Sequence, residues 1–201
     1  MLRAFSFFWV ALILGCSGKS EPKIYEMADI QLETPDGEFV WAIDTENTKV
    51  GFEALEKGTA FKGHFERFNI SISLDPEKPE LGEIRALIDL NSVKAGNADR
   101  DDALKTPELF YIEKFPVAEF RTTNIFQTGP ENYEAVGNLS MKGVSNEIVL
   151  PFTLTQKDDE ATAQAEYRFN RLDYKIGTGS FSDEKYIGYP VTVRIEVNAT
   201  R

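Results

Sequence analysis

The sequence contains one cysteine, one histidine and no apolar run long enough to cross a bilayer. Each shortage removes a class of answer. A lone cysteine cannot close an internal disulfide, so the folded part must stand on its core. His64 and that cysteine together cannot complete a zinc site, and a serine–histidine–acid triad would rest on His64 alone. The apolar run from Ala4 to Leu14 falls well short of the roughly 20 residues a spanning helix needs. Positive charge is also scarce. Twenty-two Lys and Arg face 33 Asp and Glu, a formal net charge of −11. Such a surface repels phosphates and no basic cluster offsets it, so nucleic acid is not an expected partner. A glycine-rich phosphate cradle is missing too.

What the N-terminus does have is the pattern of an export signal. Arg3 supplies a minimal positive charge, the apolar run follows, and Ile13-Leu14-Gly15-Cys16-Ser17 ends it before polar residues. This resembles a bacterial lipobox, in which a small residue precedes a cysteine whose thiol is acylated. The only cysteine of the chain falls on that spot. The expected organisation is therefore a lipoprotein signal peptide over 1–15, an acylated Cys16 with a flexible tether over 16–38, and a β-barrel domain over 39–201. Three acyl chains on Cys16, as the resemblance implies, exceed the two signals that stable membrane anchoring needs. Ser17, by analogy with enteric sorting, points to the outer membrane with the domain facing the periplasm. The alternative for the tether is an edge strand around Ile30 to Leu32.

Beyond the tether, period-two alternation takes over, the mark of strands with one buried face. Val50, Phe52 and Ala54 begin it, and Ile70, Ile72 and Leu74, then Ile84, Ala86 and Ile88, continue it. Ala118 and Phe120, then Tyr133 to Met141, Ile148 to Leu154, Ala165 to Phe169 and Val191 to Val197 complete the series. Asp75-Pro76-Glu77, Thr128 to Asn132 and Lys157 to Glu160 supply the turns. About eight strands with almost no helix predict an all-β barrel or sandwich. The one helix expected is Ala98 to Lys105, capped by Asn97, acidic in its first turn and stopped by Pro107. Its place in a strand series suggests a lid at one barrel mouth.

Four segments carry a resemblance to a known family. Ser92-Val93-Lys94-Ala95-Gly96 is followed by Arg100-Asp101, Leu104, Phe110, Phe115-Pro116 and Phe120. Trp41-Ala42-Ile43-Asp44, Gly137 to Val144, and Asn170 to Gly177 complete the set. Together they resemble the YceI-like family of lipocalin-like periplasmic proteins. What the resemblance implies is a single eight-stranded antiparallel barrel around an apolar tunnel that holds a polyisoprenoid or isoprenoid quinone. Phe52, Phe65, Ile72, Ile88, Phe120, Leu139, Phe152, Phe169 and Val193 would line it, with Ala54, Ala86, Ala118, Ala135, Gly137 and Ala165 leaving room. The competing expectation is a solid core, and with it a structural or adaptor lipoprotein.

Chemistry is weakly signalled. Asn97, Asp99 and Asp101 begin a calcium-loop pattern that Ala103 and Lys105 break. Carboxylates are plentiful, but the Asp99, Asp101 and Asp102 group is explained by a helix N-terminus. No enzyme, metal or cofactor is expected. Arg100 and Arg171 remain open: either donates to a ligand head group, or each is half of a structural ion pair, for instance Arg100 with Asp44 or Asp173.

Overall fold

A computed structural model describes Leu32 and residues 39–201; the expected signal peptide, Cys16 and the rest of the expected tether lie outside the described residues. The first half forms strands β1 (Val40–Ile43), β2 (Lys49–Glu56), β3 (Thr59–Phe65), β4 (Phe68–Ser73), β5 (Glu83–Asp89) and β6 (Val93–Lys94), of which β2, β4 and β5 are the alternating segments. The second half adds β7 (Val117–Gln127), β8 (Asn132–Met141), β9 (Val144–Lys157), β10 (Glu160–Asn170) and β11 (Pro190–Thr200). Eleven strands resolve into eight staves. β1 and β2 lie end to end along β11, broken by a turn at 44–48. β3 and β4 are likewise one stave, pairing with β2 and β1 in turn. β5 and β6 form the third, bent through the 3-10 turn Leu90–Ser92. Each stave pairs antiparallel with the next in sequence, and β11 pairs back onto the first, so the barrel closes without a free edge.

The breaks have local causes. At the bend of the second and third staves, Asp89 is fully buried and bound by Arg67 at 2.6 Å. Ser92 Oγ donates to the Asp89 carbonyl (2.7 Å) and accepts from Arg67 N (3.0 Å). This knot satisfies polar groups that an uninterrupted ladder would have paired. The β2–β3 and β8–β9 connections are two-residue turns, Lys57-Gly58 and Lys142-Gly143, with positive φ at both residues as a type I′ hairpin requires. Between β7 and β8 the register shifts at Thr122/Asn124. A Cβ on Gly137 would meet the Arg121 carbonyl there, so this glycine lets two strands approach and does not widen the lumen. Ala135 also departs from its expected role: it is fully buried in the core and leaves no room in the cavity.

Helix α1 (Ala98–Lys105) forms where its signals place it, with Asn97 Oδ1 accepting from Arg100 N at 2.9 Å. It belongs to a loop between β6 and β7 at the same barrel end as the long β10–β11 connection. The two loops are joined by Gly177 N donating to the Glu108 carbonyl (2.8 Å). Lys142 Nζ, from the β8–β9 turn, donates to the carbonyls of both Glu108 and Lys175 (3.0 and 2.9 Å). The opposite end is shut by side chains. Trp41 Nε1 donates to the Leu74 carbonyl (3.0 Å), and Tyr133 stacks on Phe152 with centroids 5.2 Å apart. On the outer wall Leu32 packs against Leu87 and Val117, so this residue of the expected tether lies on the barrel.

Candidate functional site

Inward side chains on the middle of the staves are only half-buried, although nothing outside the barrel reaches them. Ile84, Ala86, Ile88, Leu139, Leu150, Ala163 and Ala165 all share this state. The space they face is one cavity of ≈ 710 Å³ that runs from Trp41 and Leu74 at one end to Phe181 and Ile187 at the other. The barrel core is therefore not solid. An 11-residue stave is about 36 Å long and, tilted by about 40°, about 28 Å tall. Spread evenly over that height, such a volume makes the cavity long and narrow.

One end of the cavity is blind. Trp41, Leu74, Ala161 and Ala199 line it there and are all buried. At the other end Lys57, Asn97, Asp99 and Tyr186 line it and are exposed, so the mouth lies between the β2–β3 turn, the start of α1 and the β10–β11 loop. Polar side chains gather at this rim, and the wall below it is almost entirely hydrocarbon.

All nine side chains expected on the lumen wall stand on it: Phe52, Phe65, Ile72, Ile88, Phe120, Leu139, Phe152, Phe169 and Val193. Ala54, Ala86, Ala118 and Ala165 also line it. Aromatic rings narrow the upper half, with Phe52 against Phe61 and Phe65 (6.1 and 5.6 Å between centroids) and Phe65 against Phe110 (6.2 Å).

The two arginines border the cavity with different commitments. Arg171 is 1% exposed and pairs with no carboxylate among the described residues, so in place of an ion pair it makes another arrangement. Its Nε donates to the Gly188 carbonyl (3.1 Å), Nη1 to Ile176 and Gly177 (2.8 and 3.1 Å), and Nη2 to Ile187 (2.8 Å). Four of its five N–H groups are thus taken up by the loop it sits in. A Cβ on Gly177 would fall on the guanidinium, which explains a glycine seven residues from Asn170. Burial lowers the Arg171 pKa, with Tyr189 and Glu184 opposing that shift. Arg100 is an ion pair, but with Glu56 (Nη2 to Oε2, 2.8 Å), not with Asp44 or Asp173. Asp44 instead caps its own turn, accepting from Glu46 N and Asn47 N (3.1 and 3.2 Å). Arg100 Nη1 also donates to the Ala95 carbonyl (2.6 Å), and its guanidinium lies 4.4 Å from the Phe61 ring centroid.

Other titratable groups near the site are structural. Tyr174 is buried with its hydroxyl unpaired, and burial pushes its pKa up to about 12. The Asn146 amide opposes that rise, yet it is engaged by the Asp173 carbonyl at 3.3 Å. Asp101 accepts from Ala95 N (2.6 Å), which seats α1, and His64 is exposed on β3. Among the described residues no group of acidic, histidine or cysteine side chains is arranged to hold a metal ion. The rim residues Glu56, Lys57 and Tyr186 were not signalled by the sequence, because Glu56 ends β2 beyond its alternating apolar residues and the other two lie in a turn and a loop without periodicity.

Comparison with known proteins agrees with this architecture. The profile of the YceI-like domain matches residues 41–199. An Azotobacter vinelandii UPF0312 protein is 32% identical over 88 residues, 44% of this chain and 46% of that one. Matches to the first curated relatives span between 46% and 63% of their lengths. The crystal structure of Burkholderia cenocepacia BcnA superposes with a TM-score of 0.76 at 24% identity, covering 79% of this chain and 99% of that one. A Saccharophagus degradans domain, described as polyisoprenoid-binding and implicated in plant cell wall breakdown, gives 0.63 at 16% identity over 81% and 98%. With the match running through every stave, this chain belongs to the YceI-like family.

Proposed function

We propose that the barrel binds one long apolar chain of polyisoprenoid type, carries it non-covalently and catalyses nothing. The observation that carries this is the cavity itself: one blind, elongated bore lined by hydrocarbon from Trp41 and Leu74 to the mouth. A compact ligand would leave most of that length empty, whereas an extended chain fills it and removes apolar surface along the whole wall. The structural neighbour described as polyisoprenoid-binding supports the same class of cargo. The polar groups that border the bore are engaged in structural bonds, as Arg171 and Arg100 show, which supports binding over chemistry.

Trp41 provides the test. It lines the blind end, and the only other tryptophan, Trp9, sits in the expected signal segment. Titration with geranylgeraniol, a four-unit isoprenol, is expected to change Trp41 emission saturably at one molecule per chain. An emission spectrum that stays the same while the compound remains in free solution counts against the reading.

The lipobox extends the proposal to location. We propose that Cys16 is acylated and holds the barrel at the bacterial envelope, facing the periplasm from the outer membrane. Cys16→Ser removes the only thiol of the chain. The variant is expected in the soluble fraction, and wild-type protein that takes up no labelled fatty acid would refute the anchor.

A further inference from the structure

We propose that the mouth admits a chain whose head is uncharged, a hydroxyl or a quinone-type carbonyl, and discriminates against the diphosphate of the same chain. This rests on the tunnel reading and adds the head-group chemistry to it. A charged head cannot descend below the rim, where the wall is hydrocarbon and a desolvated ion is costly. It must therefore be held at the mouth, and recognition of a diphosphate depends on cations with free N–H groups.

The mouth supplies only one, the exposed Lys57. Arg171 spends four N–H groups on backbone carbonyls and is 1% exposed. Arg100 is neutralised by Glu56, which accepts from both Nε (3.1 Å) and Nη2 (2.8 Å), while Nη1 is held by the Ala95 carbonyl. Asp99 stands on the same rim as Lys57, whose ammonium makes no ion pair among the described residues. The rim charges of Glu56, Lys57, Asp99 and Arg100 cancel, and the buried Arg171 behind them brings the total to +1 on a chain of net charge −11. An uncharged head, by contrast, finds hydrogen-bonding partners there in the Asn97 amide and the Tyr186 hydroxyl.

The test uses two ligands of equal chain length, geranylgeraniol and geranylgeranyl diphosphate, each displacing the uncharged dye Nile red from the intact protein. The alcohol is expected to compete at least about tenfold better. Glu56→Gln, which unpairs Arg100 and makes the mouth more positive, is expected to improve the diphosphate about fivefold or more relative to the alcohol. A diphosphate that competes as well as the alcohol on the native protein overturns the head-group proposal and leaves the tunnel standing. A Glu56→Gln variant that gains nothing for the diphosphate overturns the charge-balance argument on which the proposal rests. If neither compound displaces the dye, the tunnel reading fails and this proposal fails with it.

Discussion

At the scale of single residues, Arg171 shows how far a side chain's type and its task can diverge. An arginine beside a lipid cavity suggests a head-group contact, and a buried one suggests an ion pair. The structure shows neither, because the partners are four carbonyls of the β10–β11 loop, from Ile176, Gly177, Ile187 and Gly188. Backbone carbonyls have no signature in a sequence, so these partners were not legible; Gly177 was the only hint. Arg171→Ala strands buried acceptors, and each acceptor left dry costs about 1–3 kcal/mol. Water will satisfy some of them, so the net loss is expected on the order of 3 kcal/mol, or a melting temperature lower by about 6–12 °C in a domain of this size. Arg171→Lys retains the charge without the planar fork and is expected to fall between the two. Thermal melts of both variants check this. Isoprenol affinity of the folded variants, measured below their melting points, is expected to hold within about twofold, a shift of less than 0.5 kcal/mol. A large loss of affinity with an unchanged melt would return Arg171 to the binding site.

Among the elements, those with periodic or capping signals were legible and those built from cross-chain contacts were not. β2, β4, β5 and β7 to β11 lie where alternation places them, because the side-chain period of a strand is two, whereas β3 and β6 carried no such signal. Helix α1 was legible through Asn97 and Pro107, and its acidic first turn fits the helix dipole. Its docking was not, since Glu56, which receives Arg100, is 44 residues away in sequence. The broken staves were hidden too, because the Arg67–Asp89–Ser92 knot forms only once two bends meet. This view of α1 as a latched lid has a measurable consequence. Arg100→Ala removes a partly exposed pair and a cation–π contact, together worth about 1–2 kcal/mol. Much of that loss falls on the lid and not on the barrel. Hydrogen exchange of the amides in 97–110 is expected to speed up, with the β7–β11 ladder unchanged, and isoprenol release is expected to accelerate. Uniform faster exchange across all staves would show that Arg100 supports the whole barrel instead.

For the molecule as a whole, the central claim is that the interior is a vacancy for one chain and not a core awaiting better packing. The strand count left barrel and sandwich open, closure followed from the family resemblance, and the vacancy was not legible in the alternation. Alternating apolar residues look the same whether they meet across the axis or stop short of it. Ala86 separates the two conditions, since it is half-buried on the wall midway along β5, opposite Ile70 and Phe120. In a packed interior Ala86→Trp would overpack and cost about 1–3 kcal/mol, whereas in an open bore the indole fills space at little cost to the fold. The most direct measurement is the intact mass, under non-denaturing conditions, of the protein purified from its own envelope beside its Ala86→Trp variant. The account predicts that the wild type carries one added apolar molecule per chain, released on denaturation, and that the variant melts normally and carries none. A wild type found at its bare mass, together with an Ala86→Trp variant destabilised by overpacking, would contradict it.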